Sequence, residues 1–228
     1  MRVIVSCEHG GNRMPPAFRK LFSGRFLATH RGYDPGALVL AREFAAAMRA
    51  PLFYSTVSRL LVELNRPLGH AQLFSRNLPR ATRDALLRKH YFPYWRTVEA
   101  AVAKRKGTVL HLSCHSFTPK LRGERRRTDV GLLFDPARRA EVRFCRLWRD
   151  TLMTQDPGLR VRYNDPYPGK FPSLVDELRK KVGARYVGIQ LEINQKFPRR
   201  DGPGWRRLRR ALVASFGEAL GSPSVNQL

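Results

Sequence analysis

The chain has 228 residues and carries 43 Lys and Arg against 18 Asp and Glu, a formal net charge of +25 with an isoelectric point near 11.3. Hydrophobic residues make up 43% and aromatic residues 10% of the chain, which excludes a disordered protein and allows one sizeable α/β domain. Every uninterrupted apolar run is too short to cross a bilayer, so a membrane-spanning helix is excluded as well.

The excess positive charge has two interpretations. The arginines are scattered from residue 2 to residue 210, which favours a generally basic surface over a dedicated binding site. The alternative is a protein that binds nucleic acid or another polyanion. In that case the two densest basic runs, RGERRR at 122–127 and PRRDGPGWRRLRR at 198–210, are the candidate phosphate-contacting patches.

The three cysteines, Cys7, Cys114 and Cys145, do not form an even disulfide framework, which indicates a reducing compartment. The sequence begins directly with an apolar strand, without a charged and apolar signal segment. We therefore expect a cytoplasmic protein. Cys7 and Cys114 stand near the ends of two predicted strands, where small core residues are favoured over metal ligands.

The spacing of apolar residues divides the chain into alternating strands and helices. Strands are predicted at 2–7, 51–57, 59–65, 109–115, 128–135, 159–164 and 186–194. Helices are predicted at 15–22, 35–49, 78–106, 137–153, 173–183 and 202–220. Pro93 is expected to kink or split the third of these helices. Residues 118–127 are predicted to be a basic loop, long enough to be an active-site flap.

This alternation predicts an α/β fold, a three-layer αβα sandwich around a mixed, mostly parallel central sheet. The second and third predicted strands have no helix between them, so they must be antiparallel if they pair with each other. That pairing is what makes the predicted sheet mixed. Residues 1–220 are expected to form a single catalytic domain, and residues 221–228 a frayed tail.

Three predicted strands end at residues that can bind a metal ion or transfer a proton. Glu8 and His9 follow the first strand, His115 ends the fourth, and Glu192 lies near the end of the last. Open α/β sheets bind their ligands at the carboxyl ends of strands. His111 shares a strand face with His115 but lies about 13 Å from it in an extended strand, so we interpret it as a packed sheet histidine.

A catalytic zinc ion takes three protein ligands and keeps one position open. His9 and His115 supply two neutral imidazoles, and Asp34, Glu8 and Asn12 are the candidates for the third ligand. Asp34 has an alternative role, because its position before a proline makes it a natural N-cap of the helix that follows.

Glu192 is the candidate general base. It is flanked by Leu191 and Ile193, and burial in that setting raises the pKa of a carboxyl group toward the range that suits proton transfer. The alternative is a carboxylate paired with one of the many arginines.

A carboxylate-binding site is predicted at Asn65 and Arg66. The planar guanidinium of Arg66 can grip a carboxylate through two hydrogen bonds, and Asn65 adds another donor. Arg59, at the start of the same predicted strand, is a second candidate. The alternative for either arginine is an ordinary place on the surface.

Six motifs occur in an order that resembles the N-formylglutamate amidohydrolases. In chain order they are SCEHGGN, YDPGA, SRLLVELNRP, LSCHS, DVGLLFD and GIQLEINQ. The resemblance spans roughly residues 3–195. It implies a zinc exopeptidase-like three-layer fold with one Zn²⁺ ion, and cleavage of the amide bond of a small acidic N-acyl amino acid by metal-activated water.

The resemblance also implies residue roles. His9 and His115 correspond to the first and last zinc ligands, Glu192 to the general acid/base, and Asn65 and Arg66 to the pair that holds the substrate carboxylate.

The second zinc ligand departs from the pattern of related zinc carboxypeptidases. Those enzymes have a glutamate three residues after the first histidine, a position occupied here by Asn12. The recurring aspartate of the family corresponds to Asp34, which we predict as the second ligand, with Glu8 as the fallback. The competing hypothesis is a basic polyanion-binding protein on an amidohydrolase-like fold without the family activity.

Overall fold

Two strands of nine residues each, Val109–Phe117 (β3) and Tyr186–Asn194 (β8), form the centre of the sheet, and every residue in them is buried. The computed structural model describes residues 1–200 and 202–223. Because side chains alternate along a strand, β3 and β8 turn apolar residues to one face and polar residues to the other near their carboxyl ends. The polar face carries the candidate site.

In the described part of the chain, six strands form one sheet in the order β2-β1-β3-β8-β6-β7, and two more form a separate hairpin. The other strands are Arg2–Cys7 (β1), Leu52–Tyr54 (β2), Lys120–Leu121 (β4), Glu124–Arg125 (β5), Val130–Leu133 (β6) and Val161–Tyr163 (β7). The hairpin of β4 and β5 lies within the segment that was predicted as a basic loop.

The sheet is mixed and mostly parallel, as predicted. Its antiparallel pair, however, is not the one expected between residues 51–57 and 59–65. β1 pairs in parallel with both β2 and β3, and β3 pairs in parallel with β8. The antiparallel pair is β6 with β8, and β7 follows β6 in parallel. The reversal places the amino ends of β6 and β7 at the same edge as the carboxyl ends of the other strands.

Helices cover both faces of this sheet. The α-helices are Gly24–Leu27 (α1), Ala37–Ala47 (α2), Arg83–Leu86 (α3), Phe92–Ala103 (α4), Arg139–Gln155 (α5), Leu174–Val182 (α6) and Pro203–Gly221 (α7). Short 3-10 turns occur at Pro16–Leu21, Arg80–Thr82, Gly183–Arg185 and Pro198–Arg200.

The apolar face of the sheet packs against α2, α5 and α7, and the opposite face packs against α4 and α6. An aromatic cluster joins α2, α5 and α7 and consists of Phe44, Phe144, Trp148 and Phe216. The Trp148 and Phe216 rings lie 4.9 Å apart in edge-to-face contact. Such pairs contribute about 0.5–1.5 kcal/mol beyond their buried area. The predicted three-layer αβα architecture is confirmed.

The prediction of a strand at 59–65 is wrong. Residues 59–65 form a series of turns, held by backbone hydrogen bonds such as Leu61 N–H to Ser58 O at 3.0 Å and Glu63 N–H to Leu73 O at 2.9 Å. Its residues from Leu61 to Asn65 are consecutively buried, without the two-residue alternation of a half-buried strand. The apolar run is therefore a buried loop that delivers side chains to the site.

The long helix predicted at 78–106 is divided where Pro93 enters it. A π-helical segment, Leu87–Tyr91, connects α3 to α4, and Pro93 lies in the first turn of α4. Proline has no N–H to donate to the preceding turn, and a wider turn before it accommodates that loss.

Helix α7 ends at Gly221, one residue beyond the predicted end of the catalytic domain. Residues 224–228, which make up most of the predicted tail, lie outside the described residues. No helix within the described ranges is both long and apolar enough to cross a membrane.

Candidate metal centre

His9, Asp34 and His115 converge at the carboxyl edge of the sheet. One potential ligand atom from each lies within 4.8 Å of the other two, and all three side chains are buried. The Asp34 Oδ2 atom is 3.2 Å from His9 Nδ1 and 2.9 Å from His115 Nδ1. Two imidazoles and a carboxylate in this arrangement form a donor set suited to a divalent ion such as Zn²⁺.

His9 is positioned by the loop that follows β1. Gly10 N–H bonds to Ser55 O at 2.9 Å, which fixes the loop beside the residues after β2. A Cβ atom at Gly11 would lie 2.7 Å from Thr56 O, so only glycine allows this close approach. The backbone of Asp34 is tied to the same loop, because its N–H donates to His9 O at 2.9 Å.

Asp34 does not cap the helix that follows it, contrary to its predicted alternative role. The residue at the N-cap of α2 is Gly36, with φ of 81°, and it makes no side-chain cap. A β-carbon there would clash with Pro198 at 2.5 Å, which again requires glycine. The Asp34 carboxylate is thereby free to turn toward the histidines, and its Oδ1 accepts from Arg59 Nη1 at 3.1 Å.

The outer nitrogen of each histidine faces a second carboxylate. His9 Nε2 contacts Glu63 Oε1, and His115 Nε2 lies 3.1 Å from Glu8 Oε2. Carboxylates in this position fix the tautomer and the ring orientation of a metal-binding histidine. The fallback ligand Glu8 thus lies behind His115, where Ser113 Oγ also donates to it at 2.8 Å, and the geometry favours Asp34 as the third ligand.

The carboxylates around His115 favour a positive charge at this position. Burial alone would lower the pKa of His115, but its hydrogen bonds to Asp34 and Glu8 raise that pKa to about 10. Burial likewise opposes ionisation of Asp34, yet the charges of His9 and Arg59 keep the pKa of its carboxyl group well below the usual range. The ionised carboxylates that stabilise a protonated His115 would stabilise a bound metal cation by the same attraction.

Glu192 lies beside this group, on the neighbouring strand. Its Cα pairs with that of His115 across β3 and β8, and its side chain is only 6% exposed. Its Oε2 atom is buried and has no hydrogen-bond partner among the described residues. Burial raises the pKa of its carboxyl group to about 7, although the charge of His115 opposes the rise.

Asn65 lies next to the candidate metal-binding group, but its amide is engaged by protein atoms. Its Nδ2 donates to Gln190 Oε1 at 3.1 Å, and its Oδ1 accepts from Leu174 N–H at 3.2 Å. These bonds tie the buried loop to β8 and to the start of α6. The structure therefore gives Asn65 a clear role in holding the loop in place.

Arg66 is half-buried and only partly engaged. Its Nη1 donates to Asn65 O at 3.1 Å and to Pro172 O at 3.4 Å, and its guanidinium lies 5.2 Å from the centre of the Phe171 ring. No described residue accepts a hydrogen bond from its Nε or Nη2. Those two donors form the fork that a carboxylate requires.

The guanidinium group of Arg59 forms hydrogen bonds with two carboxylates of the site. Its Nη1 contacts Asp34, and its Nε donates to Glu63 Oε2 at 2.7 Å. A substrate contact for Arg59 stays a prediction.

Glu63 is the residue of this site that sequence reasoning missed. It contacts His9, Arg59 and the backbone N–H of Asn65, and it is 6% exposed. Burial opposes its ionisation, but the charges of Arg59 and His9 lower the pKa of its carboxyl group. The signal that could have identified it is a lone acidic residue within the apolar run LLVEL.

His111 and the cysteines have the packing roles predicted for them. His111 is fully buried between Tyr186 and Ser6, and its ring nitrogens hydrogen-bond to their hydroxyl groups at 2.6 and 2.7 Å. Cys7 and Cys114 are buried in the core on the apolar face of the sheet.

Comparison with known proteins identifies a family and structures with a similar fold. The model of the family described as N-formylglutamate amidohydrolase matches residues 1–197. A solved structure of a gene product from Agrobacterium tumefaciens is 26% identical, with a TM-score of 0.78 over 97% of this chain and 91% of that one. The crystal structure of N-formylglutamate amidohydrolase from Ralstonia eutropha JMP134 is 19% identical, with a TM-score of 0.66 over 100% of this chain and 96% of that one.

Comparison with functionally curated proteins gave no match. The match of the family model over residues 1–197 shows that the chain belongs to the N-formylglutamate amidohydrolase family, which supports a hydrolase that acts on amide bonds.

Proposed function

We propose that this protein is a zinc-dependent amidohydrolase that cleaves the amide bond of an N-acyl amino acid of the N-formylglutamate type. The observation that carries the proposal is the convergence of His9, Asp34 and His115 beside the unpartnered oxygen of Glu192. A metal-binding group next to a buried carboxyl group with an unpartnered oxygen can supply both the activated water and the proton transfer that amide hydrolysis uses. A cytoplasmic location stays a prediction.

His9, Asp34 and His115 would hold one ion. Their two nitrogens and one carboxylate oxygen are ligands that zinc accepts, and they leave a coordination position for water or substrate. A divalent ion at this position supplies Lewis acidity, which polarises the amide carbonyl and lowers the pKa of a water molecule. Glu63 and Glu8 would keep the two imidazole rings oriented from their outer nitrogens.

Glu192 would move the proton. Its unpartnered Oε2 accepts a proton from the attacking water and later delivers it to the nitrogen of the departing amine. A carboxyl group with a pKa raised to about 7 by burial exchanges protons readily near neutral pH.

Arg66 would bind the substrate. The two guanidinium donors that have no partner among the described residues are available for the α-carboxylate of an N-acyl amino acid. Asn65 would support it by holding the loop against β8. Together these contacts would place the amide bond of the substrate toward Glu192 and the metal-binding group.

The test is turnover of N-formylglutamate and a panel of other N-acyl amino acids by purified protein, together with its metal content. We expect one zinc ion per chain, loss of turnover on treatment with a chelator, and recovery on addition of Zn²⁺. Turnover that survives complete metal removal would contradict the metal assignment. Failure to hydrolyse any N-acyl amino acid by the zinc-loaded protein would contradict the substrate class.

A further inference from the structure

The two densest basic runs of the sequence meet at one cavity, which we name the basic pocket. It has a volume of about 610 Å³ and lies where β8 ends, with Asn194 in its wall. Five cationic side chains border it: Arg125, Arg126, Arg160, Lys196 and Arg200. The first two belong to the run at 122–127 and the last to the run at 198–210, so tertiary structure brings the two runs together.

The positive charge of the basic pocket is only partly neutralised. Asp129 pairs with Arg160 at 3.3 Å and with Lys196 at 2.6 Å. Within residues 1–200 and 202–223, no carboxylate lies at ion-pair distance from Arg125, Arg126 or Arg200. Like charges gathered in a concave site repel one another, and a bound anion relieves that repulsion.

The basic pocket also has features suited to a phosphate group attached to an apolar moiety. Phe197, Pro203 and Trp205 give it an apolar wall. Helix α7 begins at its rim, and the N-cap residue Gly202 provides no side-chain cap for the first N–H groups. A Cβ at Gly204 would meet no atom within 4 Å, so a ligand can approach the backbone there.

We infer that the basic pocket binds a small organic phosphate, with the phosphate on the arginines and the apolar or planar part on the wall. The volume lies within the range of about 300–1,000 Å³ that is usual for small-molecule sites. Arginine is the residue that best matches the geometry of phosphate oxygens. A multiply charged anion matches Arg125, Arg126 and Arg200, which have no ion-pair partner among the described residues, better than a single carboxylate does.

The experiment measures binding of ADP, adenosine and inorganic pyrophosphate to the full-length protein by calorimetry at low ionic strength. ADP combines charge with a planar ring, whereas the other two probes carry one feature each. The pocket variant is Arg125→Ser with Arg200→Ser, because both side chains are exposed and neither is part of the candidate metal centre. The control variant is Arg76→Ser with Arg88→Ser, which removes the same charge from exposed positions outside the basic pocket.

We expect ADP to bind the wild type and the control variant equally well, and the pocket variant about 10-fold or more weakly, since charge-assisted hydrogen bonds to phosphate are lost. Adenosine and pyrophosphate should each bind the wild type more weakly than ADP. Amide hydrolysis by the pocket variant should equal that of the wild type, which shows that the variant is folded.

Several results would overturn the inference. Undetectable ADP binding would do so, as would equal ADP affinity in the wild type and the pocket variant, which is the pattern expected if phosphates bind only at the metal. Pyrophosphate binding as tight as that of ADP would exclude a role for the apolar wall. If single-stranded RNA binds more tightly than ADP and both double variants weaken it equally, the positive charge acts as a general polyanion surface.

Discussion

His115 and Glu192 are direct neighbours across the parallel strands β3 and β8, one residue within the proposed metal-binding group and the other bearing an unpartnered carboxyl oxygen. The register of these strands fixes that relationship, because paired residues on one face of a sheet keep their side chains within a few ångströms of each other. The proposed division of labour between metal binding and proton transfer depends on it.

Glu192→Gln tests proton transfer. The variant keeps the size of the side chain and removes its basicity, so we expect kcat for N-acyl amino acid hydrolysis to fall by about 10²- to 10⁴-fold. The zinc content should stay at the wild-type level, since Glu192 is not one of the three residues proposed to hold the ion. Steady-state kinetics and metal analysis are the measurements, and a variant with wild-type kcat would exclude Glu192 as the base.

Glu63→Gln tests the carboxylate behind His9. The amide keeps a hydrogen-bond acceptor but removes the negative charge that faces His9 and Arg59, so zinc affinity should fall by about 10- to 100-fold. Competition with a chelator of known affinity gives the dissociation constant. The control is Asp84→Asn, which removes the same charge from an exposed position outside the candidate metal centre and should leave zinc affinity unchanged. Unaltered affinity in Glu63→Gln would mean that Glu63 serves the loop rather than the metal-binding group.

Arg66→Ala tests recognition of the substrate carboxylate. Loss of a charge-assisted pair costs about 1.5–3 kcal/mol, which corresponds to a rise in KM of about 10- to 100-fold. An N-acyl amino acid amide, which has no carboxylate, should be hydrolysed equally by wild type and variant. Arg66→Lys should recover only part of the affinity, because an ammonium group lacks the planar fork. If the variant affects both substrates alike, Arg66 acts on the fold of the loop instead.

We expect the buried His111 to make the folded protein less stable at acid pH. Burial lowers the pKa of His111 to about 4 in the folded protein, whereas an unfolded chain has a histidine pKa of about 6.5. Below pH 6.5 the unfolded state therefore binds more protons, and stability falls until about pH 4, by roughly 3 kcal/mol for this group. Chemical denaturation of metal-free wild type and His111→Gln over this range measures the effect. The stability gap between them should narrow as the pH falls, and two parallel curves would refute the assignment.

A buried ion pair holds α5 against α6. Arg179 Nη2 lies 2.8 Å from Glu141 Oε2, and both side chains are almost fully buried. Replacing Arg179 with Met removes two charge-assisted hydrogen bonds from the buried Glu141 carboxylate, which keeps its ion pair with Arg138, so we expect a loss of about 3 kcal/mol in the free energy of unfolding. Lys181→Met breaks an exposed pair with Glu99 and should cost less than about 1 kcal/mol. Urea denaturation of the two variants provides the comparison.

The residues at strand ends could be predicted because local pattern determines them. An apolar run followed by a polar residue marks where a buried strand reaches the edge of its sheet, as at His9, His115 and Glu192. The αβα architecture followed in the same way from strands and helices that alternate along the chain. The roles of these residues stay predictions until the kinetic tests are done.

The loop at 59–65 could not be predicted, because its conformation depends on distant partners. Its apolar residues have the composition of a strand, but Glu63 and Asn65 are directed inward by contacts with His9 and Gln190. Local preference for a strand is weak, and such buried contacts override it. The antiparallel place of β6 beside β8 was likewise determined by pairing between segments distant in sequence.

The sequence alone determined which residue types stand at the ends of the buried strands, since side-chain alternation is a property of the local chain. Tertiary structure alone decided which of them meet. It placed Asp34 beside two histidines and not in its alternative role as a helix cap, placed Glu63 behind one of the histidines, and brought the two basic runs to one pocket. The physical reason is that metal-binding groups and charged pockets are assembled from contacts between residues far apart in sequence, which local preference does not encode.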